Sequence, residues 1–215
     1  MNLNKKAVIF DFDGTIARSF PLCENALLKT IGLYNKKMID KDTLESYFGP
    51  NEEGILKHFV KNYSKEVFMT YLKLYRDYHA ELLKDLFEGM RDLLKEIKDN
   101  NTKVILLTGR SLETTMISLT YLDAFKYFDS FYTGSKEKAV KDELLKEVME
   151  DYKYNKEDIL YIGDSLKDIE QCKLVDVDII SVSYDRPTNY ETLVKANPLT
   201  VKSVEDLKEE IFKVI

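Results

Sequence analysis

A chain of 215 residues with 44% hydrophobic and 33% charged side chains has material for one substantial core, or for a core carrying a smaller insertion. Its 32 Lys and Arg against 38 Asp and Glu leave a formal net charge of -6, which argues against a nucleic-acid polymer or an anionic membrane as partner. No apolar run reaches membrane-spanning length, the N-terminal Met1–Lys6 carries no long hydrophobic leader, and Cys23 and Cys172 match no zinc spacing. The expectation is a cytoplasmic protein, monomeric or homodimeric, whose two cysteines are small buried or half-buried apolar residues.

The first element is the apolar run Ala7–Phe10, ending in Asp11-Phe12-Asp13-Gly14-Thr15. A short run buried on both faces and closed by turn residues reads as a central strand of a parallel sheet. From about Phe20 to Phe87 only helical patterns follow: Cys23 to Ile31, Thr43 to Tyr47, Glu53 to Asn62 and Glu66 to Leu86. A second alternation then begins. Met90 to Asp99 has Leu93, Leu94 and Ile97 on one helical face and leads to the strand Lys103–Leu107 and its end at Thr108-Gly109-Arg110. Ser111 opens a helix, Ser130–Tyr132 is a weaker strand, and Leu144, Leu145, Val148 and Met149 mark another helix. Ile159–Ile162 ends at Gly163-Asp164-Ser165, a helix runs through Ile169 to Leu174, and Ile179–Val182 closes the series. The pattern predicts a doubly wound α/β, mainly parallel Rossmann-like sheet with a small α-helical cap inserted after its first strand. The expected core is 1–17 and 87–215, and the expected cap is 18–86.

In open α/β sheets ligands bind beyond the carboxyl ends of the strands. Those ends carry Asp11 and Asp13, Thr108, and Asp164 with Asp168, while Lys138 and Lys141 open a helix between them. Two carboxylates about 4 Å apart repel by ~4 kcal/mol at an effective dielectric near 20. Such acids therefore converge only around a counter-charge, and a hard divalent ion, Mg²⁺, with a lysine beside it meets that need and binds a phosphate. Asp11 is the expected nucleophile for phosphorus, and Asp13 the residue that protonates the leaving alkoxide and then takes a proton from water. Thr108 with its neighbouring N–H groups would hold phosphate oxygens, Lys141 would neutralise charge, Asp164 would complete a metal site with Asp11 and Asp13, and Asp168 would orient the lysine or a water.

Asp11-Phe12-Asp13-Gly14-Thr15, Leu106-Leu107-Thr108-Gly109-Arg110, a lysine at 138 or 141, and Gly163-Asp164-Ser165 followed by Asp168 resemble the four motifs of haloacid-dehalogenase-superfamily hydrolases. Phe48-Gly49-Pro50, Tyr75-Arg76-Asp77-Tyr78 and Phe87-Glu88-Gly89-Met90 resemble the phosphoglycolate-phosphatase-like branch, and the likeness spans essentially the whole chain. The resemblance implies a Mg²⁺-dependent phosphatase that forms an aspartyl phosphate on Asp11 and closes its cap over a small phosphorylated metabolite: a phosphoglycolate-like ester, a sugar phosphate or a nucleotide. It favours Lys141 over Lys138, and it extends the phosphate-binding set to Gly14, Thr15, Gly109 and Arg110, with Ser165 supporting Asp168. Arg18 and Arg76 are candidate substrate contacts from the cap side. The chain departs from the family pattern at Ala17-Arg18-Ser19 and at Leu174-Val175-Asp176. The competing readings are a phosphosugar mutase on the same constellation and a phospho-receiver module without turnover. His58 and His79 read as surface or interface residues, and the tyrosines between Tyr47 and Tyr78 as packing residues.

Overall fold

The computed structural model describes residues 4–137, 140–185 and 190–215. Six parallel strands form one sheet: β1 (Ala7–Phe10), β2 (Lys103–Thr108), β3 (Ser130–Thr133), β4 (Ile159–Gly163), β5 (Asp178–Val182) and β6 (Thr200–Val201), in the order β3-β2-β1-β4-β5-β6. β1 is central because all four of its residues are fully buried and apolar, as a strand covered on both faces must be. β6 was not anticipated; two residues are too few for any periodicity to register.

Alternate residues of β1 serve two separate apolar layers. Val8 and Phe10 join the larger cluster, and Ala7 and Ile9 join a smaller one with Leu145 and Val148. The smaller layer is covered by α7 (Lys141–Tyr152) and α8 (Leu166–Leu174). The larger is covered by α5 (Met90–Asp99), whose Leu93, Leu94 and Ile97 are buried, and by α10 (Val204–Phe212) through Leu207 and Ile211. Helices on both faces of a parallel sheet make the doubly wound arrangement.

Between β1 and α5 lie α1 (Phe20–Asn35), α2 (Lys41–Glu45), α3 (Glu52–Phe59) and α4 (Lys65–Leu82). α1 begins at Phe20, earlier than its apolar pattern suggests, because Pro21 in the first turn is preset for helix and lacks only an N–H that has no partner there. Leu22, Leu27 and Ile31 of α1 and Val67, Tyr71 and Tyr75 of α4 pack into the same apolar cluster as the sheet face. α6 (Leu112–Tyr121) follows β2 and lies against α4, and α9 (Tyr190–Ala196) precedes β6. Among the described residues no helix is long and apolar enough to cross a membrane.

The order of the strands fixes where a ligand can enter. The chain steps from β1 to β2 and β3 on one side and returns to β4 on the other, so a crevice opens between the carboxyl ends of β1 and β4. Phe10 is in register with Leu106 and Ile162, which places Asp11, Thr108 and Asp164 at neighbouring strand tips.

Candidate active site

A cavity of about 660 Å³ opens at these tips, and its lining includes Asp11, Asp13, Lys141, Asp164, Ser165 and Asp168. Carboxylate oxygens of Asp11, Asp164 and Asp168 lie within 4.8 Å of one another, all three buried. The Asp11 N–H donates to the Ile162 carbonyl at 2.9 Å, so the first residue past β1 is still held by β4. Its Oδ1 accepts from the Phe12 N–H at 2.7 Å and its Oδ2 faces the Lys141 Nζ at 2.8 Å. Burial pushes the Asp11 carboxyl up to about 7, against the pull of Lys141 and with the push of Asp168 and Asp13.

Lys141, the first residue of α7, also donates to Asp168 Oδ1 at 2.6 Å. Asp168 is saturated. Tyr161 adds a hydroxyl to Oδ1 at 3.1 Å, and Ser165 gives its N–H and its hydroxyl to Oδ2 at 3.0 and 2.6 Å. Ser165 and Asp168 thus cap α8 reciprocally. Burial alone would raise the Asp168 carboxyl, but Lys141 and Ser165 overcome it and hold it below the usual carboxylate range. Lys138 lies outside the described residues.

Asp13 sits apart from the acid cluster. Its carboxylate is engaged by Arg110, with Nε at 3.0 Å from Oδ1 and 2.9 Å from Oδ2, and Nη2 at 2.7 Å from Oδ1. The Ser19 hydroxyl also donates to Oδ1. Burial opposes the charge of Asp13, yet the guanidinium wins and holds it low. The structure therefore groups Asp168, rather than the Asp13 side chain, with Asp11 and Asp164.

Arg110 is among the residues that line the cavity, but its guanidinium is engaged inside the protein. Its side chain is 2% exposed, lies over the Phe12 ring at 4.3 Å, and donates from Nη1 to the Tyr75 hydroxyl at 2.5 Å and the Ser118 hydroxyl at 3.1 Å. Thr108 is fully buried, and its Oγ1 accepts from the Arg110 N–H at 3.3 Å. Gly109 lines the cavity. Gly14, at φ +72°, turns the chain directly after Asp13. Thr15 is folded inward by the turn that closes on the Phe12 carbonyl, so its buried hydroxyl does not line the cavity.

The two cap-side arginines do not reach the cavity. Arg18 is turned to Asp185 at 2.7 Å, with its side chain 65% exposed, and Arg76 is on the exposed side of α4, opposite buried Tyr71 and Tyr75. Arg76 stands one residue after Tyr75 and five after Tyr71, about 100° and 140° around the helix from them, which turns it away from their face.

Three contributors escaped sequence reading. Asn51 caps α3 and sends its amide to the Gly134 carbonyl at 3.1 Å, while its N–H reaches Ser135 at 2.8 Å. Glu52 inserts a buried carboxylate at the start of α6, accepting from the Ser111 N–H at 2.7 Å and the Thr114 hydroxyl at 2.5 Å. Ser19, at the departure from the family pattern, holds Asp13. Asn-Glu-Glu before an apolar run signals a helix start, but nothing in it says which distant strand end the helix meets.

A family model for haloacid dehalogenase-like hydrolases matches residues 8–182. The chain belongs to that family. The pyrophosphatase PpaX of Bacillus cereus (strain B4264) is 26% identical to this hydrolase over 164 residues, 75% of this chain and 76% of that protein. The fold matches the crystal structure of a predicted phosphatase from Clostridium acetobutylicum with a TM-score of 0.75 at 22% identity, covering 100% of both chains. It matches the phosphate complex of CbbY from Rhodobacter sphaeroides with a TM-score of 0.71 at 19% identity, covering 83% of this chain and 86% of that one. At these identities the structural matches establish the hydrolase's fold.

Proposed function

We propose that this hydrolase is a Mg²⁺-dependent phosphatase acting on a small phosphomonoester through an aspartyl phosphate on Asp11. The observation that carries the reading is Asp11 itself: a buried carboxylate at the topological switch point, between Lys141 and the Asp164 carboxylate.

Three ionised carboxylates and the Lys141 ammonium sum to a charge of −2 in a buried cluster, and acid pairs within 4.8 Å repel by about 3.5 kcal/mol or more at an effective dielectric near 20. A divalent cation with oxygen ligands fits that deficit. Asp168 has four donors on its two oxygens, so Asp11 and Asp164 are the side chains that would hold the ion. Bound there, Mg²⁺ supplies positive charge to phosphate oxygens.

In the first half of the reaction an Asp11 oxygen attacks phosphorus, the ester P–O bond breaks, and Asp13 gives a proton to the departing alkoxide. Arg110 keeps Asp13 ionised in the free protein, so that proton enters with the ester, whose second ionisation lies near 6. In the second half water attacks the phosphorus, the Asp11–phosphate bond breaks, and Asp13 takes the water's proton. Lys141 offsets charge on the transferring group, and the Gly109 turn offers backbone N–H groups to it. Residues 18–86 act as the cap and 1–17 with 87–215 as the core, with Asn51 and Glu52 of α3 anchoring the cap to the loops after β3 and β2. The relative named as a pyrophosphatase and the neighbour crystallised with phosphate support phosphoryl chemistry at this site.

The test is phosphate release from a panel of metabolite phosphoesters with and without Mg²⁺, run beside Asp11→Asn. Mg²⁺-dependent release that falls by more than about 1,000-fold in the variant is expected. Full activity in Asp11→Asn would end the nucleophile assignment, and substrate isomerisation with little phosphate freed would assign a mutase instead.

A further inference from the structure

We infer that Arg110, held by the Tyr75 hydroxyl of α4, is the positioning residue that fixes Asp13 for proton transfer, so that this step depends on α4 being docked. The inference rests on the phosphatase reading above, and it replaces the phosphate contact expected of Arg110.

A guanidinium meant for substrate would keep donors toward the cavity. Arg110 instead spends Nε on Asp13, both Nη1 hydrogens on Tyr75 and Ser118, and one Nη2 hydrogen on Asp13, which accounts for four of its five donors. The group is buried and stacked on Phe12, the residue between the two aspartates. It cannot swing out without abandoning an ion pair and leaving buried donors unmade.

The consequence for Asp13 is an asymmetry between its two oxygens. Oδ1 accepts from Arg110 Nε, Arg110 Nη2 and Ser19, whereas Oδ2 shares only the Nε hydrogen. A carboxyl so held has its torsions set from one side, and Oδ2 is the oxygen left to carry a proton. Asp13 lines the cavity with its side chain 21% exposed, so that oxygen has access to a leaving group.

Tyr75 links this to the helices between β1 and α5. Its hydroxyl accepts from Arg110 at 2.5 Å and lies 2.7 Å from Ser118 Oγ on α6. Arg110 therefore has its full set of partners only while α4 rests on α6. Removing the hydroxyl leaves the ring packed and withdraws one anchor of the guanidinium.

Leaving-group dependence separates positioning from mere structural support. Benzyl phosphate expels a basic alkoxide that needs a proton, whereas p-nitrophenyl phosphate expels a stable phenolate that does not. kcat/KM covers the steps up to aspartyl-phosphate formation and so isolates the half-reaction in which the leaving group departs. Arg110→Lys, which keeps charge and loses the fork, is expected to lower kcat/KM for benzyl phosphate about 100-fold and for p-nitrophenyl phosphate less than about 3-fold. Tyr75→Phe, the milder change, should move the same ratio in the same direction by about 10-fold. Equal losses on both esters, or no loss on benzyl phosphate in either variant, would overturn the inference while leaving the phosphatase reading intact. Release of phosphate by the unaltered protein from neither ester and from no member of the wider panel, with Mg²⁺ present, would overturn both.

Discussion

Gly14 has no Cβ, and the Asp164 carboxylate stands where one would be: an added Cβ would lie 2.2 Å from Asp164 Oδ2. The turn that follows Asp13 is thus shaped to admit the acid just past the end of β4. An L-residue in that left-handed conformation costs about 1–2 kcal/mol by itself. Gly14→Ala should lower stability by that amount and, by displacing Asp164, weaken divalent-ion binding about 10- to 100-fold. Chemical denaturation and Mn²⁺ titration followed by electron paramagnetic resonance measure the two effects. Unchanged ion affinity in a folded variant would contradict the site.

Removing the ion or one of its ligands should have opposite effects on stability. Chelation with EDTA is expected to abolish turnover and to lower Tm, because an ion that binds only the folded state stabilises it. Asp164→Asn should also lose turnover and ion-dependent stabilisation, yet its metal-free Tm should equal or exceed that of the unaltered protein, since one repulsive charge has gone. Calorimetric scans with and without Mg²⁺ read both.

Glu52 reaches from α3 to cover the start of α6, where the Ser111 N–H has no helical partner of its own. Burial raises its carboxyl despite Arg110 and the Thr114 hydroxyl, which marks a group held at a cost. Glu52→Ala leaves a buried N–H and hydroxyl unpaired and should cost about 1–3 kcal/mol in urea unfolding. A change below the error of that measurement would show that water replaces the carboxylate.

His79 supplies the pH dependence. It is 1% exposed, stacks on Tyr121 at 4.3 Å and meets Ser118 Oγ through Nε2 at 3.3 Å, while Nδ1 has no hydrogen-bond partner. Burial, with Arg110 nearby, holds it down to about 4 from an ordinary 6.5. A base whose folded value is depressed gives stability that is present above 6.5 and is lost as pH falls toward 4, because protons then favour the unfolded chain. Across that window the unaltered protein should lose up to ~3 kcal/mol relative to His79→Gln. The comparison with the variant cancels the other titrating groups, and a stability difference that stays constant from pH 7 to pH 4 would show that His79 is not the group responsible.

The strand runs that end in Asp11, Thr108 and Asp164 were legible because a doubly covered strand is apolar throughout and its exit turn must be polar. The helix series between β1 and α5 was equally legible from 3.6-residue periodicity. His79 and Tyr75 show the limit. Both read as ordinary side chains of a long helix, and both are buried against a helix some 40 positions further along the chain.

Which acids stand at strand tips, and on what kind of sheet, was therefore decided by local pattern: apolar period, turn residues and their order along the chain. How those groups pair was decided by tertiary structure alone. Asp13 went to Arg110 and Glu52 to α6, because ion pairs and hydrogen bonds act over about 3 Å between residues whose separation along the chain carries no information about distance.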